Sequence, residues 1–333
     1  MNQTAHEPLL DIRRMTLFLP AGRAARPVLD RVDLTVLPGQ TVGLVGESGS
    51  GKSVTCRAAL GLFPRGAQVS GSVRVGSHEL LTMRPRELRR VRAREAAMVF
   101  QDPRSSINPL RPVGDFLTEG LRSHDRLSRT EAMTAAAELL ATVGLREPRA
   151  ALRKYAHEFS GGMLQRVMIA AALACRPRLL LADEPTTALD VSIQAEVIAL
   201  LAKLRTERDL GLLFVTHDLD LAAAICDDIY VMYAGRIVEH APAARLFHSP
   251  RHPYTAALLA SRPRLDRHSD RLTAVRGRPL GLDETTPGCA FAPRCDRATD
   301  ACRAGRVPLA PTTREPSDPG QVACRHPLEV SAP

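Results

Sequence analysis

The stretch from Thr41 to Ser53 constrains the fold more than any other part of the chain. Thr41 to Val45 is apolar enough for a buried strand, Gly46 to Gly51 holds three glycines in six residues, and Ser53 to Leu62 reads as a helix stopped near Pro64. Strand, glycine loop and helix come in that order, and Gly46-Glu47-Ser48-Gly49-Ser50-Gly51-Lys52-Ser53 fits the spacing G-x-x-x-x-G-K-[ST]. Glycines let backbone N–H groups turn inward around β- and γ-phosphates, while the following helix presents its positive end to them. In this reading Lys52 contacts the phosphates and the Ser53 hydroxyl holds Mg²⁺.

Such a loop needs a second group for the metal. Asp183 closes the apolar strand Leu179-Leu180-Leu181-Ala182, and Glu184 follows it directly. Phosphoryl transfer divides labour in this way, one carboxylate neutralising metal charge and the other orienting and polarising the attacking water. An isolated Asp-Glu pair is often just a solvated strand end. Beside a phosphate loop the catalytic reading is preferred.

The rest of the chain supports an α/β core. Leu9 to Leu19 and Val32 to Leu37 alternate apolar and polar residues, as a half-buried antiparallel pair does. Ser128 and Glu131 form a capping box for a helix with Met133, Ala136, Leu140 and Val143 on its apolar face, ending at Gly144. Strands at Leu179 to Ala182 and Leu212 to Val215 flank the helical pattern Ile193, Val197, Leu200, Leu201, Leu204, which makes a βαβ unit. Ile229 to Tyr233 and Arg236 to His240 read as a hairpin around Ala234-Gly235. Beyond about Pro250 proline, arginine and four cysteines dominate, which puts a domain boundary between Tyr254 and Arg276.

Composition removes several classes of function. No apolar run approaches the ~20 residues a membrane-crossing helix needs. Met1 to Pro8 lacks the basic and apolar blocks of a signal peptide, so the cytosol is the expected address. The net charge of +9 would suit nucleic acid, but arginine is spread along the chain, aromatics are 4% and there is no Trp. A base-stacking platform is poorly supplied, and no nucleic-acid partner is expected.

Cys56, Cys175 and Cys226 lie in helical or apolar surroundings and read as small buried residues. Cys289, Cys295, Cys302 and Cys324 are spaced C-x5-C-x6-C-x21-C in a proline-rich segment too poor in apolar residues to fold well alone. Four thiolates suit an iron–sulfur cluster or zinc, and disulfides are disfavoured in the cytosol. The spacing leaves cluster, zinc and free thiols all open.

Phe159-Ser160-Gly161-Gly162-Met163 resembles the signature of ABC ATPases, which in most members reads LSGGQ, with Met163 where Gln is commoner. It opens the helical pattern Leu164, Val167, Met168, Ala171, and a helix N-terminus with two glycines is a further anion site. Gln101 resembles the Q-loop glutamine, Ala188-Leu189-Asp190 the D-loop, and His217 the switch histidine. The resemblance implies that Ser160, Gly161 and Gly162 bind the γ-phosphate held by a second ATPase subunit. It also implies that Gln101 ligates Mg²⁺, senses nucleotide and couples to the transmembrane partner, and that His217 contacts the γ-phosphate and fixes the transition-state geometry. ABC ATPases usually stack an aromatic on adenine from the loop before the phosphate strand. Ala21 to Pro27 has none, leaving Phe18 or the Arg23 guanidinium.

Phe100-Gln101-Asp102-Pro103, Ser106-Ile107-Asn108-Pro109 and His252-Pro253-Tyr254-Thr255 are similar to the oligopeptide, dipeptide and nickel importer branch. That likeness implies an ATPase subunit that energises import of short peptides, with nickel or another small solute as alternatives. It implies a heterodimeric ATPase partner, two integral membrane permease subunits, an external solute-binding protein and a place on the cytoplasmic face of the membrane. It tilts the four-cysteine site to a [4Fe–4S] cluster, with zinc as alternative. The expected architecture is a P-loop NTPase core of the ABC type over residues 1–260, with an antiparallel β subdomain and an inserted helical subdomain at about 102–170. A Cys-containing extension over 261–333 follows. A soluble ABC ATPase of ribosomes or DNA usually carries two ATPase units or a long coiled coil, and neither repeat nor heptads occur here. A silent, regulatory half-site is disfavoured by intact Lys52, Asp183, Glu184 and His217.

Overall fold

The computed structural model describes residues 7–21, 24–187, 189–262, 275–281, 284, 287–312 and 320–329. They fall into two compact units, one holding Met1–Leu10, Val36–Gln40 and Arg74–Val215, the other Asp11–Thr35, Thr41–Val73 and Thr216–Pro333.

In the first unit strands Ala96–Val99, Leu179–Asp183 and Gly211–Thr216 run parallel, with Val99 opposite Ala182 and Asp183 opposite Val215. Leu179 to Asp183 is buried at every position, which is why the strand is a continuous apolar run and not an alternating one. Helix Val191–Arg208 makes the connection between the second and third strands, burying Val197, Leu200, Leu201 and Leu204 as the sequence pattern requires.

Helices Val113–His124, Arg129–Thr142 and Gly161–Leu173 pack in series in the same unit. The capping box at Ser128 forms in both directions, Ser128 N–H to Glu131 at 2.8 Å and Glu131 N–H to the Ser128 hydroxyl at 3.3 Å. Ala132, Ala136, Leu140 and Val143 are buried, while the predicted apolar residue Met133 is half-buried. Arg166 ties this bundle together, donating to the Val143 carbonyl at 2.6 Å and to Glu196 at 2.7 Å.

In the second unit strands Leu10–Ala21 and Ala24–Val36 are neighbours, with Gln68–Val75 on the far side of the first. Strand Thr41–Val45 pairs in parallel with Asp228–Tyr233, which turns through Ala234 and Gly235, both at positive φ, into Arg236–Pro242. That two-residue turn is the hairpin read from the sequence.

Two features differ from expectation. The helix after the glycine loop spans Lys52–Ala58 and does not reach Leu62: Leu60 and Leu62 N–H both bond the Arg57 carbonyl, and Gly61 takes a φ of 66°. A glycine in this conformation ends a helix without steric cost. The cysteine segment is also part of the sheet, because Gln321–Val322 pairs antiparallel with the hairpin strand, Val322 opposite Glu239, and Ala310–Pro311 pairs with it in turn. Among the described residues no helix is long and apolar enough to cross a membrane.

Candidate functional site: a phosphate loop, an acid pair and a cysteine cavity

The phosphate loop belongs to the second unit. Gly46, Gly49 and Gly51 sit at φ of 156°, 78° and 107°, and a Cβ on Gly46 would lie 2.2 Å from the Met232 carbonyl oxygen. Only glycine fits at that point. The hairpin turn steadies the loop from outside, Gly235 N–H donating to the Ser50 carbonyl at 2.8 Å. Ser48 and Gly49 are exposed, while Ser50 and Lys52 are buried and Glu47 and Ser53 are half-buried. Lys52 Nζ donates to the carbonyls of Gly46 at 2.8 Å and Glu47 at 3.0 Å, so the ammonium is already inside the loop. An open backbone turn with an enclosed ammonium fits a polyphosphate, whose oxygens accept from both.

The acid pair belongs to the first unit. Asp183 ends its strand fully buried. Glu184 breaks out of it at a φ of 47°, an uncommon conformation for a residue with a Cβ, held by its N–H to the Val215 carbonyl at 3.0 Å. Its carboxylate Oε2 accepts from Gln101 Nε2 and from the Thr187 hydroxyl, each at 2.9 Å. Gln101 and Glu184 are therefore brought into direct contact. Thr187 carries no signal in the sequence beyond its place three residues after the glutamate.

Ser160 caps helix Gly161–Leu173, its hydroxyl accepting from Met163 N–H at 3.3 Å. Ser160 and Gly161 are exposed and Gly162 is buried. A Cβ on Gly162 would come within 2.3 Å of the Ile193 Cγ2 atom, so this glycine is needed for helix packing. His217 follows strand Gly211–Thr216 and is exposed. Asp190 caps helix Val191–Arg208, accepting from Ile193 N–H at 2.9 Å, whereas Ala188 lies outside the described residues. Of the two candidates for adenine, Phe18 is half-buried on its strand and Arg23 lies outside the described residues.

The four C-terminal cysteines are free thiols that line one small cavity in the second unit, with His252, Phe291 and His326. Burial, and then the charges of Cys289, Cys295 and Cys302, push the Cys324 thiol up to about 11, against a hydrogen bond from the His326 backbone. Among the described residues no group of three or more His, Cys, Asp or Glu is drawn into metal-holding geometry, so the expected cluster finds its donors gathered around a cavity and not set as ligands. Of the other cysteines, Cys56 and Cys226 are buried, but Cys175 is only half-buried.

This combination of a phosphate loop, an acid-terminated parallel strand and a glycine-led helix defines a P-loop nucleotide-binding protein. Comparison with known proteins narrows the class. Residues 29–187 match the family described as ABC transporter, and residues 238–302 match the oligopeptide/dipeptide transporter C-terminal region. The chain is 43% identical to the oligopeptide transport ATP-binding protein OppD of Salmonella typhimurium over 317 residues, covering 95% of this chain and 92% of that one. It is 41% identical to OppD of Escherichia coli over 330 residues, covering 98% and 96%. Among solved structures, the dimeric post-hydrolysis state of the ATP-binding cassette MJ0796, bound to ADP and Pi, superposes with a TM-score of 0.63 at 28% identity, covering 70% of this chain and 98% of that one. The chain belongs to the ABC transporter ATP-binding proteins, in the branch that carries the oligopeptide/dipeptide transporter C-terminal region.

Proposed function

We propose that this chain hydrolyses ATP to energise import of short peptides through a membrane transporter. The observation that carries the reading is the pair Gln101–Glu184, with Glu184 held at positive φ after a buried aspartate, in a chain that also has an intact phosphate loop. ATP with Mg²⁺ supplies the phosphoryl group. Lys52 and the N–H groups of residues 46–53 bind its phosphates, and Ser53, Asp183 and Gln101 hold the metal ion. Glu184 orients and polarises the attacking water, with Gln101 and Thr187 fixing its carboxylate, and His217 contacts the γ-phosphate. Ser160, Gly161 and Gly162 serve the nucleotide of a second ATPase subunit, so the working unit is a pair of such chains, here a heterodimer. Two permease subunits span the membrane, a solute-binding protein delivers peptide from outside, and this chain sits on the cytoplasmic face.

The domain reading is a nucleotide-binding domain over 1–260 with a helical subdomain at about 102–170, then an extension over 261–333. The extension holds a metal–thiolate centre on Cys289, Cys295, Cys302 and Cys324, a [4Fe–4S] cluster or zinc. Its support is the shared cavity and the thiols of Cys289, Cys295 and Cys324, which burial pushes up and a cation would relieve. His252 adds to it. Burial lowers its pKa to about 3, Nδ1 accepts from Tyr254 N–H at 3.0 Å, and the Nε2 proton has no partner among the described residues. Thiolate sulfur in the cavity it lines would accept that proton.

The test is peptide uptake. Vesicles carrying the chain with its co-purifying membrane subunits and the binding protein should accumulate a labelled short peptide only with ATP inside. Recovery of ribosomal RNA in place of integral membrane proteins, with no ATP-dependent uptake, would overturn the reading.

A further inference from the structure

Glu47 is the only acid in the phosphate loop, and both its backbone and its side chain are held by residues far away in the sequence. Its N–H donates to the Tyr254 hydroxyl at 2.9 Å. Its carboxylate accepts from both terminal nitrogens of Arg294, at 2.7 and 3.1 Å. The ion pair is well enclosed, with the Arg294 side chain 5% exposed and that of Glu47 21%. Arg294 is itself fixed: it donates to the Arg276 carbonyl at 2.7 Å and the Val275 carbonyl at 3.2 Å, and its guanidinium lies 5.8 Å from the ring centres of both Tyr233 and Phe291. Tyr254 is wholly buried, with its ring centre 4.7 Å from that of Tyr233 and 5.2 Å from that of Phe291.

Electrostatics gives this clamp a purpose beyond packing. The phosphates of ATP bring several negative charges onto a loop that already carries a carboxylate. An unneutralised Glu47 would repel them through a partly enclosed medium, where like charges interact far more strongly than in water. A bidentate guanidinium cancels that charge and fixes its position, and the tyrosine hydroxyl fixes the backbone beside it.

The geometry points to Arg294 and Tyr254 as positioning residues for nucleotide binding, acting through Glu47, so that the C-terminal segment helps to build the phosphate site. This rests on the reading of residues 46–53 as the ATP loop. The centre on the neighbouring Cys295 is not needed for it. Arg294 stands one residue before that cysteine, and Tyr254 two residues after His252 on the cavity wall, so the clamp and the cavity share their supports.

The experiment is a titration of the full chain with a fluorescent ATP analogue and Mg²⁺, beside nucleotide-free thermal unfolding. Arg294→Ala should weaken binding roughly tenfold, the effect of one uncompensated charge near the phosphates. Glu47→Gln added to that variant should restore most of the loss, because the carboxylate that needed a counter-charge is gone. Arg294→Lys should fall between, and Tyr254→Phe should weaken binding about two- to threefold, the cost of one lost hydrogen bond. Wild-type affinity in Arg294→Ala would overturn the proposal. So would a loss that Glu47→Gln fails to recover and that follows the drop in unfolding temperature. Lys52→Ala is the control for the underlying reading: if it binds the analogue as wild type does, the ATP loop assignment itself fails, whatever Arg294 does.

Discussion

The phosphate loop and the cysteine cavity belong to the same compact unit and are built by opposite means. The loop is eight consecutive residues whose backbone course is set by glycines at φ values side chains avoid. The cavity gathers four cysteine side chains spread from Cys289 to Cys324, delivered by a short helical turn, the helix Asp300–Ala304 and the segment after strand Gln321–Val322. A site made of backbone depends on conformation and tolerates change at an exposed side chain. One made of side chains depends on each of them and on the distant elements that present them.

The largest expected effect breaks the loop by its backbone. Gly46→Ala puts a methyl against the Met232 carbonyl at a φ of 156° and should cost roughly 3–5 kcal/mol, read by denaturant unfolding, together with ATP binding. Next is the cavity. If the proposed metal–thiolate centre forms, Cys295→Ser in anaerobically purified protein should abolish iron or zinc binding and lower stability by about 2–3 kcal/mol, the linkage expected of a ligand held well above its dissociation constant. A colourless, metal-free wild type would reduce the cysteines to packing. The smallest change sharpens the contrast: Ser48→Ala, at an exposed loop position, should alter stability by less than about 0.5 kcal/mol.

The same contrast explains what could be read from the sequence. Local chemistry was legible: the loop spacing, the Ser128–Glu131 box, the Ala234-Gly235 hairpin and the acid closing Leu179–Ala182 all came out where the residues placed them. The early end of the helix after Lys52 was not, because Gly61 acts as a terminator only through its positive φ. Nor was the sheet pairing of Gln321–Val322, since two residues carry no period. Arg294 on Glu47 spans 247 positions of sequence, and nothing in either neighbourhood announces the partner. In the sequence, His252-Pro253-Tyr254-Thr255 carries only a likeness to the family. Its physical content lies in Tyr254 on the loop and in the His252 cap on helix Pro253–Ala260.

The central claim is that Glu184 drives ATP hydrolysis in a transporter, and Glu184→Gln tests it most directly. With the variant in the assembled complex, phosphate release should fall by about two orders of magnitude or more while ATP stays bound, because the side chain keeps its place but loses the charge that polarises water. Unchanged turnover would contradict the account.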